Sequence, residues 1–249
     1  MREGRDGPGR RRPDDDAAPW RRLLGEHRAV WELGALGVST PALGLLPKGS
    51  RPVLVLPGLG ASDRSTAPLR ATLRRLGHHV HGWRLGTNRG PDDAALAGVR
   101  RRFDELVERH GEPIDLVGWS LGGIYARGLA RRHPESVRLV VTLASPFREV
   151  ERARGLEGRP LPVPSTSVWS RSDGIVPPEA CVAEVVDERT ENIRIRSSHL
   201  GMGFHPAAVA VVADRLAQAP GTWRHFDPPA ALRAWYPDPR VPGRAGSTR

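Results

Sequence analysis

The sequence of 249 residues is poor in cysteine, lysine, aromatics and long apolar runs. Cys181 is the only cysteine, so no internal disulfide can form and the chain suits a reducing compartment. It follows Pro177-Pro178-Glu179-Ala180 with no histidine beside it to stabilise a thiolate, and reads as a small buried residue. No stretch reaches the roughly 18–20 apolar residues that span a bilayer. Residues 1–19 are rich in Arg, Asp, Gly and Pro, and no apolar segment follows Arg10-Arg11-Arg12 as a secretory signal requires. A cytoplasmic location is the resulting expectation.

Lys48 stands alone among the lysines, so the net charge of +10 is almost wholly arginine. The arginines are spread along the chain, as in Arg70, Arg74 and Arg75 or Arg100, Arg101 and Arg102, and read as solvated helix faces. Aromatics make up only 5% of residues and do not interleave with the basic ones. With no recognisable nucleic-acid module either, nucleic acid is not an expected partner.

What is present is alternation. Val53-Leu54-Val55-Leu56, stopped by Pro57-Gly58, has the character of a strand buried on both faces. Further strands are expected at His79 to Leu85, Ile114 to Trp119, Val137 to Ala144, Ser167 to Ser170 and Asn192 to Arg196. Helices are expected at Ser65 to Leu76, Asp92 to His110, Leu121 to His133 and Pro206 to Leu216, with Gly77 and Gly111 as stops. Strands alternating with helices imply about six mostly parallel strands with helices on both faces. The expected division is a polar tail over 1–19, a helical segment over 20–47, the α/β domain over 48–222 and an extended tail over 223–249 with a brief turn near Leu232.

The apolar face of the 20–47 segment, with Leu23, Leu24, Val30, Trp31 and Leu33, could pack on the domain or rest on a lipid surface. Glu26 and Glu32 interrupt the basic polar face of a surface-seeking helix, which favours packing.

The chemistry centres on Gly118-Trp119-Ser120-Leu121-Gly122-Gly123. A strand precedes Ser120 and a helix follows, so its hydroxyl should project from a sharp turn at the carboxyl edge of the sheet. The competing reading is a helix-capping serine between packing glycines. A serine hydroxyl needs a base, and His199 follows the last strand directly. His205 is the rival, but His205-Pro206 reads as a helix start. Asp173, after the fifth strand in Ser172-Asp173-Gly174-Ile175-Val176-Pro177, is placed to orient that base, giving the chain order Ser, Asp, His. Two backbone N–H groups, of Leu121 and of Leu59 in Pro57-Gly58-Leu59-Gly60, are candidates to hold an oxyanion. Trp119, Phe147, Ile175, Val176 and Leu200 are candidate pocket residues, each of which could equally be core.

From Pro52 to Leu216 these motifs resemble the α/β-hydrolase superfamily, and within it small bacterial lipases and esterases. The resemblance implies hydrolysis of carboxylic esters, small-molecule or lipid, through an acyl-enzyme, with no metal or organic cofactor and no obligate protein partner. Thioesterases, amidases, lactonases, acyltransferases and ligand-binding proteins without turnover share the fold and stay open. The chain departs from many lipases in having Pro57-Gly58 where they have His-Gly. It also has only a short polar segment, from Phe147, where relatives insert a helical cap. Little or no cap domain, and an open site, are therefore expected.

Overall fold

The structure, a computed structural model, describes residues 46–228 and 230–237. Apart from Leu46, the expected 20–46 helix lies outside those residues, as do 1–19 and the end of the C-terminal segment.

Six parallel strands form one sheet in the order β2-β1-β3-β4-β5-β6. They are β1 (Pro52–Leu56), β2 (His79–Gly82), β3 (Ile114–Trp119), β4 (Val137–Leu143), β5 (Ser165–Ser170) and β6 (Thr190–Ile195). Among the described residues five α-helices accompany them: α1 (Ala67–Arg75), α2 (Asp93–His110), α3 (Leu121–Arg132), α4 (Phe147–Ala153) and α5 (Pro206–Ala217).

Successive side chains of a strand point to opposite faces, and the core divides accordingly. Val53 and Val55 join α1 and α5 in one apolar cluster, while Leu54 and Leu56 join α2 and α3 in the other. The strands at the centre of the sheet are therefore apolar at almost every position, as parallel strands covered on both faces must be. Helix boundaries follow local chemistry. The Asp92 carboxylate accepts from the Ala95 N–H at 2.7 Å at the start of α2, and Gly111 ends it in the left-handed region at φ 62°.

Three details differ from the sequence expectation. The second strand stops at Gly82, not Leu85, because the Asp63 carboxylate takes the N–H groups of Trp83 and Arg84 and turns the chain. The fifth and sixth each begin two residues earlier, at Ser165 and Thr190. Nor are the arginines all solvated: Arg102 is buried and donates to the Gly82 carbonyl, because its long stem lies in the α2 core face. Arg127 and Arg215 are buried too, paired with Glu151 and Glu191.

Between β4 and β5 the only helix is the seven-residue α4, so no cap domain is inserted in that connection. The described part of the C-terminal segment returns to the domain. Trp223, Phe226, Leu232, Trp235 and Tyr236 pack on the α5 face, and the Tyr236 hydroxyl donates to the Ala207 carbonyl at 2.8 Å. The turn near Leu232 is a 3-10 helix over Ala230–Trp235. Among the described residues no helix is long and apolar enough to cross a membrane.

Candidate active site

In an open parallel sheet the crevice forms where the strand order reverses, outside the carboxyl ends of the two diverging strands. Here that point lies between β1 and β3. The loop after β1 carries Leu59, and the turn after β3 carries Ser120.

Ser120 has φ 52° and ψ −122°, a conformation that costs a residue with a side chain about 1–3 kcal/mol. Two glycines make room for it. A Cβ on Gly118 would drive into the backbone of Gly122 and Gly123, and one on Gly122 into the Leu56 carbonyl. The Ser120 N–H donates to the Leu143 carbonyl at 2.8 Å, and the Ser120 carbonyl accepts from Gly123 at 3.0 Å. Such a turn is braced by backbone on both sides, and the helix-cap reading fails because no side-chain cap bond is made.

The loop after β1 rests on this turn. A Cβ on Gly58 would lie 3.1 Å from the Ser120 Cβ and 3.7 Å from its Oγ. Leu59 follows, 65% exposed. Leu121 is the first residue of α3, where an N–H has no acceptor within the helix and the helix dipole adds positive potential.

Asp173 and His199 are brought together by the loops after β5 and β6. The Asp173 Oδ2 lies 2.8 Å from His199 Nδ1, with the two residues only 4% and 5% exposed. Its Oδ1 accepts from the N–H groups of Ile175 and Val176, at 2.8 and 2.7 Å. The carboxylate is thus locked in rotation, and Nδ1 carries the imidazole proton it binds, leaving Nε2 as the basic nitrogen. Ser170, which no sequence motif marks, ties the two loops: its buried Oγ accepts from Ser172 at 3.0 Å and Ser197 at 3.2 Å.

Trp119 joins the two halves. Immediately before Ser120 in the chain, its indole Nε1 donates to the His199 carbonyl at 3.2 Å. Gly203 approaches the indole so closely that a Cβ there would lie 3.1 Å from the ring. The rival histidine is engaged elsewhere, since His205 Nδ1 accepts from the Ala207 N–H at 3.1 Å and caps α5.

The candidate pocket residues divide. Ile175 and Leu200, two residues after Asp173 and directly after His199 in the chain, are 52% and 46% exposed. Phe147 and Val176 do not join them. Phe147 is buried beneath the Arg127 guanidinium, 3.8 Å from the ring centroid. Val176 packs with Trp169, Ala180 and Cys181 because the turn at Asp173 draws its N–H, and with it the side chain, inward. Burial pushes the Cys181 thiol pKa up, with the Asp173 charge adding to it, so the thiol is inert.

No family model matches the chain. Over 59 residues it is 39% identical to a pimeloyl-(acyl-carrier protein) methyl ester esterase of Neisseria meningitidis, a stretch that spans 22% of this chain and 23% of that enzyme. Among solved structures it is similar to Aspergillus fumigatus lipase B, with a TM-score of 0.57 at 16% identity, covering 70% of this chain and 54% of that one. It is also similar to the Paleococcus ferrophilus monoacylglycerol lipase, with a TM-score of 0.52 at 18% identity, covering 66% and 96%. At such identities the likeness speaks for the fold, and the chain has the α/β-hydrolase fold.

Proposed function

We propose that this α/β-hydrolase-fold chain is a serine hydrolase that cleaves carboxylic esters through an acyl-enzyme on Ser120, with His199 as base and Asp173 as its orienting carboxylate. The observation that carries the reading is the buried Asp173–His199 bond, linked through Trp119 to the strained Ser120 turn. A capping serine or a structural histidine needs none of these three features.

In the proposed reaction His199 Nε2 takes the Ser120 proton as Oγ attacks the ester carbonyl. The bond formed is Oγ–C, and the carbonyl electron pair moves to oxygen, where the Leu59 and Leu121 N–H groups stabilise it. Collapse of that intermediate breaks the C–O bond to the alcohol, which leaves with the proton from His199. Water, activated by the same imidazole, then releases the acid and restores the serine. Asp173 stabilises the imidazolium and holds Nδ1 protonated.

Exposed apolar side chains on the loops that carry the proposed site residues, Leu59, Ile175 and Leu200, favour esters with an apolar acyl group, lipid esters among them. The lipases and the methyl ester esterase named above lend the ester reading further support.

The test is fluorophosphonate labelling and p-nitrophenyl ester hydrolysis by the wild type and Ser120→Ala. Loss of labelling, with a fall in kcat of roughly 10⁴–10⁶, is the expected result. Undiminished labelling and hydrolysis by Ser120→Ala sink the reading. Thioesters, amides and lactones in the same panel decide the bond class. An acyl-serine that accumulates without release marks a binding protein instead.

A further inference from the structure

We infer that Asn88, with Tyr125, is a positioning residue that fixes the loop after β1 against α3 and so sets the spacing of the two oxyanion donors. This rests on the hydrolase reading above and adds residues to it that no sequence motif marks.

Asn88 is fully buried, and its polar groups bond the loop after β1, Tyr125 of α3 and its own loop at Gly90. Its backbone N–H donates to the Ala61 carbonyl at 2.8 Å, and its carbonyl accepts from the Gly60 N–H at 2.7 Å. Its side-chain Nδ2 donates to the Pro57 carbonyl at 2.9 Å. Residues 57 to 61 are therefore gripped before and after Leu59 by one residue of a different loop.

The remaining atom, Oδ1, accepts from the Tyr125 hydroxyl and from the Gly90 N–H, both at 3.2 Å. Because Gly90 can only donate and the Pro57 carbonyl only accept, the amide has one consistent orientation. Tyr125 lies one turn beyond Leu121 on α3, on the same helix face. The chain of contacts thus runs from Leu59's loop through Asn88 and Tyr125 to the helix whose first N–H is that of Leu121. Burial, with the Asp92 charge behind it, raises the Tyr125 pKa, so the phenol remains a neutral donor.

Steric contact alone does not set the spacing. Gly58 and Gly122 let the loop and the turn approach, but a glycine sets only how close they can come. Asn88 supplies the attraction. Asparagine suits the position because one short side chain must donate to Pro57 and accept from Tyr125; aspartate can do only the second and leucine neither.

The experiment uses the purified full chain, with active serine counted by fluorophosphonate titration. Asn88→Ala, Asn88→Asp, Tyr125→Phe and Asn88→Ala/Tyr125→Phe are compared with the wild type on one p-nitrophenyl ester. Removing an oxyanion donor outright costs about 10²–10³-fold in kcat, so a displaced donor should cost about 10–100-fold in Asn88→Ala and Asn88→Asp. Tyr125→Phe, which loses one hydrogen bond, should cost about 3–10-fold. KM should stay within about threefold, because the oxyanion forms only in the transition state. The double variant should be no slower than Asn88→Ala, since the two act as one unit. Affinity for a trifluoromethyl ketone, whose serine adduct bears the oxyanion, should fall in step with kcat.

Variants that melt at lower temperature yet keep wild-type kcat per titrated serine make Asn88 merely structural and overturn the brace. So does additivity of the two substitutions. If Asn88→Ala does not fold, Tyr125→Phe decides alone by its kcat and its ketone affinity. A wild type that hydrolyses no ester overturns the hydrolase reading and the brace with it.

Discussion

The two sides of the site are built from different materials. On the β1–β3 side, Ser120 is held by backbone: two glycines whose Cβ atoms would strike main chain, one left-handed residue and two main-chain hydrogen bonds. On the β5–β6 side, Asp173 and His199 are held by polar side chains, with Ser170 and the Trp119 indole among them. Backbone contact tolerates no added atom, whereas side-chain contact tolerates a change of shape but not of hydrogen-bonding character. The half that carries Ser120 should therefore lose its fold when altered, and the half that carries Asp173 and His199 should lose the proposed chemistry.

Asp173→Asn draws that line most sharply. The amide oxygen can still accept from Ile175 and Val176, so the loop should keep its shape. The amide nitrogen then faces His199 Nδ1 and forces the proton to Nε2, the wrong tautomer. Ester hydrolysis should fall about 10⁴-fold, as such replacements do in serine hydrolases with this arrangement, with an unchanged thermal midpoint. A large drop in the midpoint would break the contrast.

The opposite result is expected from Gly122→Ala. Its Cβ would enter the Leu56 backbone, which cannot rotate away as a side chain can. Overpacking costs about 1–3 kcal/mol and occasionally more, so the protein should melt roughly 3–10 °C lower or fail to accumulate. Melting curves of Gly122→Ala and Asp173→Asn side by side test the comparison directly.

The same difference in material explains what can be read from the sequence. Glycines around a serine act within six residues, so the turn is visible as a local motif, and strand ends lead to Asp173 and His199. Asn88, Tyr125 and Ser170 act across 31, 37 and 27 residues, through buried hydrogen bonds that have no period along the chain. The overlong second strand has the same origin: Trp83 and Leu85 prolong its apolar character in the sequence, but a distant carboxylate, Asp63, takes the N–H groups that would extend it. Burial of Phe147 and Val176 is equally invisible, since an apolar side chain near a site looks the same in sequence whether it faces inward or outward.

A smaller effect is expected at Ser170. Ser170→Ala leaves the N–H groups of Ser172 and Ser197 without their shared acceptor. An unmade buried hydrogen bond costs about 1–3 kcal/mol. Because these N–H groups orient the loops of Asp173 and His199, part of that cost should appear as a fall in kcat of about 3–10-fold. Ser170→Thr, which restores the oxygen, should recover most of it. Steady-state kinetics of the pair would show whether the base side depends on side-chain oxygens as argued.

Two histidines make the Ser120 half sensitive to acid. Burial, with the Arg138 charge next in weight, lowers the His78 pKa to about 4. Burial, followed by the charges of His110 and Arg102, lowers that of His81 to about 4 as well. Both histidines stand at β2, beside β1, the strand that leads into the Leu59 loop. Below the ordinary histidine pKa of about 6.5 the unfolded chain takes up protons that the folded chain refuses until about pH 4. The stability they contribute is thus complete above pH 6.5 and is lost as pH falls from 6.5 towards 4. Partial solvent access at His81 reduces its share to about 1 kcal/mol, or about 2–4 °C in a domain of this size. His81→Gln removes one of the two titrations, so the fall in thermal midpoint between pH 7 and pH 4 should shrink by that amount. An unchanged slope would place the acid sensitivity elsewhere, and with it this last difference between the halves.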